Sequence, residues 1–250
     1  MPDPLTGLRI RHVLREDALG EFVRADDPAT GEPLCLRRID AALASDESGR
    51  LLFIEEVRRI ATLDHPMLLH VRRAVRDGPR PYVITDPIDA ETLVDRVRRD
   101  GPFDAADARR FIADLLGALG QLESRRQFHA AIHPARFVRV GERWKLLTFR
   151  DVRAEDEASR AKGREAFDPR WTPPESDVRT SAPTKARPMT AWSVGALWRW
   201  LRTAKAPDDG PIPGVPPPDG ALIERMLEAE PMLRPAGAST LLTLVATLSD

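Results

Sequence analysis

From about Leu8 to Ile39 apolar and polar residues alternate, with breaks at Asp26-Asp27-Pro28 and Thr30-Gly31. Successive side chains of a strand point to opposite faces, so this pattern predicts strands joined by a tight turn in a small antiparallel sheet. Between about Leu51 and Leu63 the period changes. Leu52, Ile60 and Leu63 recur at helical intervals among Glu55, Glu56, Arg58 and Arg59. His65-Pro66 closes that helix, because the residue before a proline is disfavoured in the helical region. The clearest helix follows Asp104, a capping residue, with Ala108, Phe111, Ile112, Leu115, Leu116, Leu119 and Leu122 on one face. Ala204 to Gly220 hold six prolines and three glycines, which exclude regular structure. Leu222 to Leu227 and Leu241 to Leu248 read as short closing helices. There is no internal repeat, and strands, a helix, more strands and then helices give an α+β class.

Composition narrows the function classes. The 250 residues suffice for one large domain, and the 38 basic and 39 acidic side chains nearly cancel, which argues against nucleic acid or an anionic membrane surface as partner. No apolar run has the length needed to cross a bilayer, and Met1 to Leu14 lack the apolar core of a signal peptide, so no membrane insertion is expected. Cys35 is the one cysteine, which excludes an internal disulfide and a multi-cysteine zinc site and fits a cytoplasmic location. It reads as a small buried filler. His129 and His133 have a metal-like spacing without a third ligand nearby, so no metal is expected; His129 reads as packed and His133 as exposed. Trp192, Trp198 and Trp200 read as helix core, with Trp198 and Trp200 too close on a helix for both to point inward.

Several short motifs follow one another in a telling order. Gly20-Glu21-Phe22-Val23-Arg24-Ala25, Thr30-Gly31 and Leu34-Cys35-Leu36-Arg37 resemble the glycine-loop and lysine strands of bacterial Hanks-type Ser/Thr protein kinases. Glu56, nine residues before His65-Pro66, lies where that family has its helix-C glutamate. Tyr82-Val83-Ile84-Thr85-Asp86 resembles the hinge, His129 to Arg136 the catalytic loop, and Lys145 to Arg150 the D-F-G strand. Trp171-Thr172-Pro173-Pro174-Glu175 resembles the A-P-E motif, Trp192-Ser193-Val194-Gly195 the core of helix F, and Glu230-Pro231 with Arg234-Pro235 the last helical signature. The likeness spans nearly the whole chain. It implies a two-lobed kinase-like α+β fold, with a small antiparallel-sheet N-lobe carrying one helix at 8–86 and a mainly helical C-lobe at 87–250, helix G being shortened or absent.

The departures from the family pattern fall on its chemistry. Phosphoryl transfer in this fold needs a lysine on the phosphates, a metal-holding Asp and Asn, a base Asp, and glycines under the phosphates. Arg15, Asp17 and Gly20 fall on the three glycines, so Asp17 would put a negative charge where phosphate lies. Arg37 replaces the lysine, keeping the charge and the capacity to pair with Glu56 but with a planar fork in place of a compact ammonium. Ala131 stands at the base, Ala130 at the regulatory arginine, His133 at the catalytic-loop lysine, Thr148 at the magnesium-binding Asp and Arg136 at the Asn. Magnesium requires hard oxygen ligands, and a guanidinium beside it repels it. Phe22 stands where a small aliphatic residue roofs adenine, Cys35 replaces the alanine beside it, and the hinge N–H that meets adenine belongs to Ile88. Thr190 replaces the helix-F aspartate. Glu175 with Arg234 match the ion pair that ties the activation segment to the C-lobe, and Phe149 and His129 match two hydrophobic-spine positions.

The resulting expectation is a pseudokinase in bacterial signalling, a protein-binding scaffold or allosteric regulator with no cofactor, no Mg-ATP and a protein partner. The loops 151–175 and 204–220 are the surfaces on which it would act. Two alternatives remain open. One is a kinase-fold enzyme of altered nucleotide chemistry using Asp151. The other is an anion or metabolite sensor in which Arg37, His133, Arg136 and Arg150 converge on a basic cleft; against it, Arg136 and Arg150 can instead pair with Glu56, Asp151 or Asp17, or reach solvent.

Overall fold

The computed structural model describes residues 7–17, 20–76, 79–149, 151–156, 169–176, 185–207 and 214–248. The chain divides into two compact units, one of residues 1–92 with 138–150 and one of 93–137 with 151–250. The hairpin from 138 onward thus groups by its contacts, and not by chain order, with the first unit.

The first unit is built on a five-stranded sheet. Its strands are β1 (Arg9–Asp17), β2 (Gly20–Asp26), β3 (Pro33–Ile39), β4 (Val71–Val75) and β5 (Tyr82–Thr85), in the order β1-β2-β3-β5-β4. Every neighbouring pair is antiparallel. Alternation places Val23, Ala25, Leu34, Leu36, Tyr82 and Ile84 with Leu8 in one buried cluster. The break read from the sequence is the β2–β3 turn, where Gly31 adopts φ +72° and its N–H donates to Asp27 O at 2.7 Å. The helical stretch is split into α1 (Ala41–Ser45) and α2 (Glu47–Ile60), each started by an aspartate: Asp40 accepts from Ala42 and Leu43 N–H, and Asp46 from Gly49 N–H. Phe53, Val57 and Ile60 form the buried stripe of α2, which begins earlier than the hydrophobic period announces because its first turn is polar. After β6 (Gln127–His129), which belongs to the second unit, β7 (Phe137–Val140) and β8 (Arg143–Leu146) make a hairpin. Leu146 binds residues 67–69 through its backbone N–H and C=O, at 2.7 and 3.1 Å.

In the second unit, α3 (Leu93–Asp100) precedes α4 (Ala105–Ser124). Asp104 caps α4 by accepting from Asp107 N–H at 2.8 Å, and every member of the apolar set read from the sequence is buried. β6 pairs with β9 (Val152–Ala154), and α5 (Ala186–Thr203), α6 (Asp219–Met226) and α7 (Ala238–Ala246) complete the unit. The helix α3 was not foreseen, being short and mostly charged.

One expectation is corrected here. Trp192, Trp198 and Trp200 are all buried, at 8%, 0% and 7% exposure, because α5 is enclosed by α4, α6, α7 and β6 and has no solvent face along its middle. A helix surrounded by other elements obeys no one-sided rule. Gly195 permits a close approach of α6, since a Cβ there would lie 2.8 Å from Cβ of Met226. No helix among the described residues is long and apolar enough to cross a membrane.

Candidate functional site

In the first unit, β2–β3 register places Phe22 opposite Arg37. The Arg37 guanidinium carbon lies 4.9 Å from the Phe22 ring centroid and 5.9 Å from that of Phe149, and the two rings meet edge to face at 5.5 Å and 81°. Arg37 is fully buried and Phe22 nearly so. Two ring contacts offset part of the cost of taking a guanidinium out of water. Arg37, expected at the phosphate-lysine position, is therefore set against an aromatic pair. Glu56 sits half-buried on α2 with both carboxylate oxygens shielded from solvent. Thr148 is fully buried, and its hydroxyl has no hydrogen-bond partner among the described residues.

Gly20 acquires a structural reason for being glycine. Its φ is +142°, and a Cβ there would stand 2.0 Å from Arg38 O and 2.7 Å from Asp40 N, so the packing of β3 demands it without any ligand. Cys35 is fully buried, and burial pushes its thiol up to about 11 against the opposing effects of Thr85, the Ile88 and Val23 N–H groups and the Arg24 charge. A thiol held protonated in this way is no nucleophile. Arg150 and the Asp17 side chain lie outside the described residues.

The second unit carries residues 129–136, the segment expected to correspond to the catalytic loop. Arg136 is buried and holds Asp151, also buried, with Nε 3.0 Å from Oδ2 and Nη2 donating to Oδ1 at 3.3 Å. Ala131 supplies no acid or base, and its N–H lies 3.4 Å from Nδ1 of the buried His129. His133, expected to be exposed, is half-buried: its Nδ1 accepts from Ala135 N–H at 3.0 Å, and its ring stacks edge to face on Trp171 at 4.9 Å. The imidazole caps the 3-10 turn Pro134–Arg136, which explains a histidine before this proline. Of the four residues expected to gather in a basic cleft, Arg37 is stacked on rings in one unit while Arg136 is charge-paired and His133 is a cap in the other.

Arg234 and Glu175 form a buried, fully bonded polar group in the second unit. Nη1 and Nη2 of Arg234 donate to Oε1 and Oε2 of Glu175 at 2.6 and 2.9 Å, with side-chain exposures of 0% and 1%. Nη1 also reaches Pro188 O, Nη2 reaches Ala229 O, and Nε reaches Glu228 O at 2.7 Å. All the guanidinium donors are thereby used, the condition under which a buried ion pair is sustained.

No protein-family model matches the chain. Its sequence is similar to the Ser/Thr protein kinase PknB of Mycolicibacterium smegmatis, 30% identical over 127 residues, which are 49% of this chain and 20% of PknB. It is 27% identical over 256 residues to PkaA of Streptomyces coelicolor, covering 92% of this chain and 46% of PkaA. The chain thus spans about a fifth of PknB and about half of PkaA. The crystal structure of the PknI kinase domain of Mycobacterium tuberculosis superposes with a TM-score of 0.69, at 18% identity, covering 98% of this chain and 96% of that one. The chain has the protein-kinase fold. Its homologues are bacterial Ser/Thr kinases, and the chain combines the antiparallel sheet and the mainly helical part of that fold.

Within this kinase fold, some contacts escaped the sequence. Asp219, nearly fully buried at the start of α6, takes a 2.6 Å bond from Arg109 Nε, and Arg202 Nε lies 3.9 Å away. Residues so far apart in the chain carry no local signal. Glu123 of α4 accepts from Ala238 N–H with both oxygens at 3.0 Å, capping α7 from another helix. Arg24 was more accessible to reasoning, since it stands two residues from Phe22 on β2 and shares its face.

Proposed function

We propose that this chain is a pseudokinase, a kinase-fold unit that binds a protein partner and transfers no phosphate. The observation that carries this reading is the buried Arg136–Asp151 pair. In this reading Arg136 stands at the position of the metal-binding Asn, and its partner Asp151 follows Thr148, at the position of the D-F-G aspartate, by three residues, so a carboxylate that could serve a cation is committed to a guanidinium. Support comes also from Thr148, which offers no carboxylate to a metal, from Ala131, which offers no base, and from Arg37, whose charge faces aromatic rings. Arg37 with Glu56 serves the architecture of the first unit in this reading, as Glu175 with Arg234 does in the second.

The competing reading, a kinase-fold enzyme, is favoured by the kinases among the homologues. It requires Asp151 to leave Arg136 for a metal. The anion-sensor reading requires Arg37 and Arg136 to leave partners that already neutralise or cover them.

The test is incubation with γ-phosphate-labelled ATP and magnesium, with and without a generic protein substrate, alongside thermal melting in millimolar Mg-ATP. No incorporation and no magnesium-dependent shift are expected. Incorporation that disappears in Asp151→Asn would establish the enzyme reading instead. Binding is tested by capture from the source cell with variants in 151–175 and 204–220, the two loops expected to carry recognition. Retention by the wild type, loss in the loop variants and indifference to Ala131→Asp are the expected results.

A further inference from the structure

Two leucines of α2 stand outside the core of the first unit. The buried residues of that helix are Gly49, Phe53, Val57 and Ile60. Leu51 and Leu52 lie on its other side, 55% and 64% exposed, so no described element of the chain covers them. The charges around them are ordered. Glu47 and Arg58, both exposed, stand eleven positions apart. Eleven residues are about three helical turns, so Glu47 and Arg58 share one row of α2, with Leu51 in that row between them and Leu52 beside it. The midpoint of the row falls next to Leu52. Arg58 pairs with Glu55 of its own helix, but both side chains are more than half exposed, and a pair of that kind holds its partners weakly.

A row with an acid at one end, a base at the other and apolar residues at its centre is complementary to itself when reversed. We infer that the outer face of α2 is a self-association surface, on which two copies of the chain pack their α2 helices antiparallel about a two-fold axis beside Leu52. A two-fold axis perpendicular to both helices keeps a given row on the same side of the contact, so Glu47 of one copy meets Arg58 of the other, and the exchange occurs twice. Leu51 and Leu52 of both copies cover one another at the centre. A parallel pairing would set Glu47 against Glu47 and Arg58 against Arg58, so the charges select the reversed arrangement. One helix face buries less than the ~800 Å² per partner of a stable complex, which makes the pairing reversible and dependent on local concentration. The inference goes beyond the pseudokinase reading and is independent of it, since Glu47, Leu51, Leu52 and Arg58 occupy none of the expected catalytic positions.

The experiment is sedimentation equilibrium of the full chain at low salt, over a concentration series reaching about 300 µM. A reversible monomer–dimer equilibrium is expected, with L51S/L52S raising its dissociation constant at least about tenfold. E47R and R58E each set like charges at both ends of the contact and should weaken pairing to a similar extent, about tenfold. An equimolar mixture of E47R with R58E, one of them carrying a fluorescent label, should form mixed dimers at close to wild-type affinity, because each end then joins an acid to a base again. A wild type that stays monomeric throughout the series overturns the inference and leaves the leucines to another occupant. Dimers unaffected by L51S/L52S place self-association on a different face and overturn it as well. If the leucine variant does not fold, the charge variants decide: undiminished pairing by E47R and R58E, or no recovery in their mixture, overturns the two-fold arrangement.

Discussion

Arg234 in the second unit and Arg37 in the first are both fully buried, and they are accommodated by different means. Arg234 is surrounded by oxygen: a bidentate carboxylate and backbone carbonyls take every donor it has. Arg37 is surrounded by carbon on the side of Phe22 and Phe149, whose faces and edges are weaker partners for a cation. Arg136 lies between these cases, with one carboxylate and slight exposure. The guanidinium of Arg234 has every donor satisfied by oxygen, while that of Arg37 is accommodated in part by aromatic packing. The difference shows two ways in which one fold buries the same cation.

The comparison can be broken most severely at Arg234. Arg234→Ala leaves Glu175 charged in the interior and should cost about 3–5 kcal/mol in urea unfolding. A midpoint equal to the wild type would mean that the pair contributes nothing. Replacing both partners, as Glu175→Leu with Arg234→Met, should cost less than the single change, because no orphan charge remains. Arg136→Ala should cost about 2–3 kcal/mol, and its cycle with Asp151→Ala should show a coupling of about 1–3 kcal/mol. Additive losses would show that Arg136 and Asp151 act separately.

Smaller effects sharpen the aromatic side of the contrast. Arg37→Lys keeps the charge and loses the plane, so the stack should weaken by about 1–2 kcal/mol; a variant as stable as the wild type would show that charge alone matters there. The smallest effect concerns Glu123, whose carboxyl is raised by burial above its ordinary value and only partly relieved by the Ala238 N–H and Arg187. A raised carboxyl favours the protonated form in the folded state, so this group's contribution to stability falls as pH rises through the ordinary carboxylate range. Glu123→Gln keeps an acceptor for Ala238 and should flatten that fall in a pH series of melting temperatures. A slope identical to the wild type would place the titration elsewhere.

Much of this was legible in one dimension, because the information is local. Period-two alternation fixed the first strands, the i, i+3, i+4 set after Asp104 fixed α4, and the order of short motifs pointed to the kinase fold. The identities at 131, 136 and 148 carried the expectation that phosphoryl transfer lacks its usual groups. Tertiary structure decided partners and enclosure. Whether Arg136 would face an anion, solvent or Asp151 depended on where β9 returns beside β6, and no periodicity reports that. Enclosure of α5 from several sides buried both Trp198 and Trp200 against the one-sided rule. The contacts of Asp219 with Arg109 and of Glu123 with Ala238 join residues more than a hundred positions apart. A sequence announces which residues want burial or charge neutralisation through their own chemistry; which neighbour supplies it is a property of the folded chain, since only folding brings distant segments within a few ångströms.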